Sequence, residues 1–508
     1  MMSTARSVAP AVRAVDGESS TAIARNAFYL VLGQAMTMVL GIVLNAALGR
    51  YLGAEDFGVY YLLLTTSSLA YVFVEWGQPL FVMREAAREP SRSGDLLGTA
   101  LALRCTAAVV VTIPACLASW ALGHGARVTW LSAFLIVANL PFFLAQGFGM
   151  VFRSRDRMGR DATVTVSNKI LVLVATVPAL ALGTGIPGFI LSQAIAGVVA
   201  LLVAGRLYRS LGLPPLQARG ETARELVAGG APILAMTAAS SVQPYLDAVV
   251  LSSLAPAAVV GWFGAAKSIL GTLMAPAVIL GAAAYPRLAR ASADAAVFRR
   301  EVRSAFRPLL WLGALAGVGT YYFAGTAIHV VYGKRSFGPA ATILQVFAPG
   351  LFLLFIDILL GNIVYASGRG TTFAAAKIVS VLVGTGLDIL LVPVFQQRTG
   401  NGGIGVVVAF ALSEFVVFAG AVAALRPGTL QPATAVDVAR AIGAAALTVL
   451  ILHELGPVPP WVGIPLCAAV FAAASMGLGL LGRRDLAVLS TLVRRPGATP
   501  SPSADAAR

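Results

Sequence analysis

An all-α polytopic membrane protein is what the sequence predicts, with about 14 transmembrane helices forming two pseudo-symmetric six-helix lobes plus an appended helix pair. Three observations lead there. Of the 508 residues, 58% are hydrophobic and 12% charged, with a mean hydropathy of +0.83, whereas soluble domains sit near about 45–50% apolar and 25% charged. Apolar runs alternate with short polar breaks, and each run has the roughly 20 residues that a helix needs to cross the hydrocarbon core. With the amino terminus inside, and with Arg206, Arg307 and Arg440 near the inner ends of their spans counted to the adjoining loops, 28 of the 37 Lys and Arg residues fall on the inner side, 5 on the outer side and 4 deeper within spans. One missed helix would scramble that asymmetry, which is the bias of cytosolic loops. It also accounts for the net charge of +15 without a nucleic-acid partner.

Taken in order, residues 1–24 are polar and Ala/Ser-rich and read as a disordered cytosolic tail. The apolar run 26–48 is longer than a signal-peptide core and reads as a retained first helix. Further spans follow at 57–79, 97–122, 128–151, 162–183, 186–206, 228–252, 258–284, 307–330, 338–366, 371–393, 402–425, 434–454 and 459–481. Residues 25–210 then form an amino-terminal lobe of helices 1–6 and residues 225–427 a carboxyl-terminal lobe of helices 7–12. Residues 434–482 carry helices 13 and 14, and 483–508 a second cytosolic tail. The expected location is the bacterial cytoplasmic membrane, crossed many times, with both termini cytosolic.

The two lobes echo each other. Phe57-Gly58-Val59-Tyr60 opens helix 2 as Val260-Gly261-Trp262-Phe263 opens helix 8, at an offset of 203 residues. Arg84 and Arg104 recur as Arg287 and Arg307 at the same offset. Lys169-Ile170 matches Lys377-Ile378, and the run Gly188 to Gln193 (GFILSQ) matches Ala409 to Glu414 (AFALSE). A six-helix unit is even, so both copies start on the same side and the repeats are parallel, an arrangement suited to alternating access around a midplane site.

An ionisable group inside a span costs on the order of 2.5–3.5 kcal/mol on insertion scales, so it faces protein or water and becomes a candidate for function. Asp247 and Lys267 lie at similar depths in helices 7 and 8, close enough to pair. Lys169, Lys377 and Arg104 are further intramembrane cations, and with that pair they are candidates for a cavity that receives an anionic group such as a pyrophosphate. Asp357, Asp388 and Glu414 are candidates for ion coupling; local pairing within a lobe is the competing structural role for all of these charges. Pro114, Pro178, Pro244 and Pro276 mark possible kinks. The three His residues are scattered, and there is no phosphate loop, no GxSxG elbow and no metal spacing. No cofactor, metal or enzymatic activity is expected.

Several stretches carry a family likeness: Gly49 to Leu64 (GRYLGAEDFGVYYLLL), Ala248 to Ile269 (AVVLSSLAPAAVVGWFGAAKSI) preceded by Asp247, Tyr285 to Leu288 (YPRL), Tyr332 to Gly350 (YGKRSFGPAATILQVFAPG) and Val364 to Arg369 (VYASGR). Through them the chain resembles the polysaccharide biosynthesis, O-antigen flippase-like transporters of the multidrug/oligosaccharidyl-lipid/polysaccharide exporter superfamily, over most of residues 25–425. The resemblance implies flipping of an undecaprenyl-pyrophosphate-linked oligosaccharide between leaflets of the lipid bilayer, with polysaccharide polymerase or export machinery as further partners. It carries no catalytic residue. Trp262-Phe263 departs from the family, which more often has Tyr there. Three alternatives stay open: an H⁺- or Na⁺-coupled drug or cation antiporter of the same superfamily, a peptidoglycan lipid-precursor flippase, and a non-transporting scaffold of a polysaccharide synthase complex.

Overall fold

The computed structural model describes residues 8–333, 336–456 and 458–481. The helices, in chain order, are α1 (Val8–Glu75), α2 (Gln78–Arg88), α3 (Ser93–Ala121), α4 (Ala126–Ser154), α5 (Met158–Ala181), α6 (Gly185–Arg209), α7 (Gly220–Ser241) and α8 (Gln243–Leu254). They continue as α9 (Ala257–Leu273), α10 (Ala275–Ala291), α11 (Ala295–Tyr332), α12 (Gly338–Ala366), α13 (Gly370–Thr399), α14 (Gly402–Ala424), α15 (Pro432–Glu454) and α16 (Pro460–Gly477). The described residues hold 12 helices long and apolar enough to cross a membrane, or 13 with one bent pair counted as a span. The first of them, Leu32–Arg88, has 57 residues, about 85 Å of helix against a core of about 30 Å. It is broken at Gly53 (φ 72°, ψ 177°), a backbone region open to glycine. That residue therefore separates expected helices 1 and 2.

Three expectations differ from the structure. The helix starts at Val8, so residues 8–24 are helical rather than a disordered tail; Ala9, Ala11 and Ala14 favour helix there. Residues 1–7 of that tail and the whole of the expected tail 483–508 lie outside the described residues. Helix 7 is not one straight span. Gly220–Ala238 and Gln243–Leu254 meet at 62°, where Pro244 lacks the N–H that would continue the helix across the junction. Pro114 and Pro178, by contrast, lie inside the continuous helices α3 and α5.

The chain divides into two compact units. The first comprises Met1–Thr272, Gly325–Val346 and Ala374–Val417, and the second Leu273–Ala324, Phe347–Phe373 and Phe418–Arg508. These bounds cut across the lobe limits expected from sequence, because α11 to α14 are divided between the units.

Within the first unit, α3 to α6 pack through Leu97, Phe148, Phe152, Val164, Ala200 and Tyr208. Small residues let α1 and α9 come closer still. A Cβ on Gly58 would strike the carbonyl oxygen of Ala257 and the nitrogen of Gly261, and one on Gly261 would strike the carbonyl oxygen of Ala54 and the nitrogen of Gly58. Each half of the contact is the other shifted by 203 residues. This reciprocity is the signature of a two-fold relation between duplicated segments.

In the second unit, Asp437 on α15 is 1% exposed, accepts hydrogen bonds from Arg303 and Arg440 and lies within ion-pair distance of Arg307. Arg303 Nε lies 3.3 Å, Arg307 Nε 3.9 Å and Arg440 Nη1 3.4 Å from its carboxylate. Arg307 also donates to the Leu480 carbonyl at 2.7 Å. Tyr322 donates to Leu452 and Gly456 carbonyls at 3.0 and 2.9 Å, above a patch of Val318, Leu452 and Cys467. The appended pair α15–α16 is thus fastened to α11 by ions at one end and by apolar packing at the other.

Two outcomes follow. Gly58→Val and Gly261→Val should each lower the melting temperature in detergent by several degrees, since backbone and not a pliable side chain meets the new methyls; unchanged melting of both variants contradicts the close crossing. Asp437→Ala should cost about 1–3 kcal/mol by removing the carboxylate that faces three guanidinium groups. Asp437→Glu should recover most of that loss in the same melting assay.

Candidate functional site: a buried charge cluster

The elements α8, α9, α13 and α14 bring five ionisable side chains of the first unit together: Asp247, Lys267, Lys377, Asp388 and Glu414. The three acids are 3%, 1% and 1% exposed, in the order Asp247, Asp388, Glu414. Lys267 Nζ stands 4.0 Å from Asp247 Oδ2, and Lys377 Nζ 4.0 Å from Glu414 Oε1. The Asp247 and Asp388 carboxyl groups lie near enough to feel each other's charge. Lys267 also feels the charges of Asp388 and Glu414.

Aromatic rings complete the setting of Lys267. Its ammonium lies 5.5 Å from the centroid of Phe263 and 5.5 Å from that of Phe410, distances at which a ring face attracts a cation. Phe263 belongs to the pair that departs from the family pattern, and Trp262 beside it donates from its indole to the Ser336 carbonyl at 2.7 Å. Around the acids, Gln243 donates to Ser413 Oγ at 3.1 Å and Ser380 to the Ser413 carbonyl at 2.9 Å. A change in the charge of this cluster would be felt by four helices at once.

The remaining candidates fall elsewhere. Arg104 is fully buried and its guanidinium is spent on protein: Nε donates to Gln78 at 3.1 Å, Nη2 to Glu75 at 3.2 Å and Nη1 to the Phe143 carbonyl. It braces the break at Trp76 and Gly77, both of positive φ, where α1 gives way to α2. These bonds give it a packing role at that break. Asp357 is buried on α12 in the second unit.

Lys169 on α5 is half-buried and runs alongside Gly41 of α1, where an added Cβ would meet its Cε at 3.7 Å. Among the described residues it forms no ion pair. The expected match of Lys169 with Lys377 thus joins one lysine held by an acid to one that is not. An apolar cavity of about 230 Å³ lies among α1, α3, α4 and α8, and none of these charged side chains lines it.

Sequence reasoning missed a neutral network in the first half. Asn139 donates to Ser67 Oγ at 2.9 Å, and Gln193 donates to Asn139 Oδ1 at 2.8 Å. The signal was present: Gln193 is the repeat counterpart of Glu414. One copy places an amide where the other places an acid with its lysine.

The helices define a multi-pass, all-α membrane-protein fold with ionisable groups paired inside it. The family model described as "Polysaccharide biosynthesis protein" matches residues 23–292, more than half of the chain, and the chain belongs to that family. A search of curated proteins finds no match. Among solved structures, a lipid II flippase MurJ in an inward closed conformation has a TM-score of 0.72 at 15% identity, covering 90% of this chain and 99% of its own. An inward-facing multidrug resistance MATE family transporter has a TM-score of 0.64 at 15% identity, covering 78% and 97%. A MOP superfamily transporter from Pyrococcus furiosus gives 0.54 at 15% identity, with 79% and 94% covered. At such identities the likeness is one of fold.

Pairing inside the cluster has a direct test. Lys267→Met should lower stability by about 3 kcal/mol by stranding Asp247 without its cation. Adding Asp247→Asn should recover part of that loss; strictly additive losses in the double-mutant cycle would show the two side chains to be independent.

Proposed function

We propose that this protein flips a lipid-linked oligosaccharide, carried on a polyprenyl pyrophosphate, from the cytosolic to the outer leaflet of the bacterial cytoplasmic membrane for cell-surface polysaccharide export. The observation that carries this reading is Lys169. An ammonium on a membrane-spanning helix with no acid beside it, among the described residues, is stable only where water or an anionic guest reaches it. A pyrophosphate supplies that charge, and the family membership supports a saccharide on the other side of the linkage. Lys377 and Lys267 are held by Glu414 and Asp247, so they become available to a guest only when those acids are protonated or move.

In this reading Asp388, Asp247 and Glu414 take up the coupling proton or cation, and Asp357 is a further candidate. The amino-terminal lobe 25–210 and carboxyl-terminal lobe 225–427 rock about the site with both termini cytosolic, and polymerase or export proteins receive the flipped unit.

The test is leaflet-resolved accumulation of polyprenyl-pyrophosphate oligosaccharide in cells lacking the protein. Inner-leaflet accumulation, cleared by wild type and at least tenfold less well by Lys169→Ala, supports the proposal. Clearance by Lys169→Ala at the wild-type rate removes the site, and no accumulation in the deleted strain removes the substrate. Accumulation of the peptidoglycan precursor instead would assign that lipid as cargo. Proton coupling further requires that Asp388→Asn flatten the dependence of transport on pH.

A further inference from the structure

A second cavity, more polar than the first, belongs wholly to the second unit. It has a volume of about 340 Å³ and sits where three connections converge: the turn from α10 to α11, the turn from α12 to α13, and the segment from α14 to α15. All three are on the side to which the Lys/Arg count assigns the cytosol. Arg299 and Arg426 line it, with Ser292, Ser367, Thr429 and the buried ring of Phe298.

Its walls are fixed by their own hydrogen bonds. Arg369 donates to the Ala424 carbonyl at 2.8 Å and joins the α12–α13 turn to the end of α14. Ser292, Ser367 and Thr429 donate to the Ala289, Ile363 and Arg426 carbonyls at 2.7, 2.8 and 2.7 Å, leaving their oxygens able to accept only. Asp294, the acid nearest Arg299, is committed elsewhere. Its Oδ1 accepts from Ala296 and Val297 N–H groups at 2.7 and 3.2 Å, capping α11, and those bonds hold its pKa below the usual carboxylate range. Neither Arg299 nor Arg426 forms an ion pair among the described residues. Two guanidinium groups without acids therefore face one preformed polar cavity at the ends of membrane-spanning helices.

We propose that this cavity binds the phosphate of an anionic phospholipid headgroup at the cytosolic surface. Guanidinium matches phosphate oxygens in fork geometry, and basic pockets between helix ends at this depth suit headgroups, each cation adding to the attraction. A lipid is favoured over a free phosphate because the lining includes the carboxyl-terminal end of α12, a helix long and apolar enough to cross the bilayer, so acyl chains of a bound headgroup can stay in the hydrocarbon. This inference stands apart from the cargo reading, since none of the candidate cargo residues lines the cavity.

The full-length protein is reconstituted in nanodiscs of phosphatidylcholine containing phosphatidylglycerol, and retained lipid is read by native mass spectrometry after extraction. Wild type should retain phosphatidylglycerol in excess of its share, and the Arg299→Ala/Arg426→Ala double variant should retain it about tenfold less tightly. The variant's melting temperature in phosphatidylcholine alone checks its folding, and an Arg299→Lys/Arg426→Lys variant that keeps the charges should recover most of the retention. Equal retention by wild type and the alanine variant overturns the proposal. Binding of inorganic phosphate at millimolar concentration without preference between the two lipids overturns the lipid assignment.

Discussion

An ionisable side chain buried among apolar helices needs protein groups, water or a guest to meet its charge, because hydrocarbon solvates none. That constraint organises the first unit. Asp247, Lys267, Asp388, Lys377 and Glu414 come from four helices, and each helix is registered against the others by the need to keep these groups in contact. The cost of burial also explains the rings. Phe263 and Phe410 give Lys267 two apolar surfaces that still attract a cation, so the ammonium is shielded without being left unpartnered.

The duplication shows how one scaffold meets this constraint twice in different ways. Around Gln193 the first half uses amides and a hydroxyl, which need hydrogen bonds and no charge balance. Around Glu414 the second half uses acids and lysines. Neutral networks hold helices together over any pH, whereas a charged cluster changes its internal forces when a proton arrives. The two halves therefore share a shape and differ in what can alter it.

Much of the fold was legible because hydropathy and the Lys/Arg bias depend on each segment's surroundings in the bilayer alone. The Asp247–Lys267 pair was legible too, since depth along adjacent helices follows from 1.5 Å per residue. What escaped depended on neighbours. Pro244 breaks its helix while Pro114 and Pro178 do not, and nothing local to a proline tells whether surrounding helices will absorb the missing hydrogen bond. Arg104 looked like a ligand-facing cation until Gln78, Glu75 and the Phe143 carbonyl were seen around it. Arg303 and Arg307 read as topology markers, yet Asp437, well over a hundred residues away in sequence, makes them fasteners as well.

The crossing of Gly58 and Gly261 has one more implication. Interdigitated side chains resist rotation, since turning one helix forces every knob out of its hole. Here main chain lies on main chain, with nothing projecting from either glycine. Such a joint resembles a smooth bearing: no side chain obstructs a change of angle between α1 and α9, while the backbones themselves bar closer approach. Its resistance to bulk and its tolerance of swivel come from the same missing atoms.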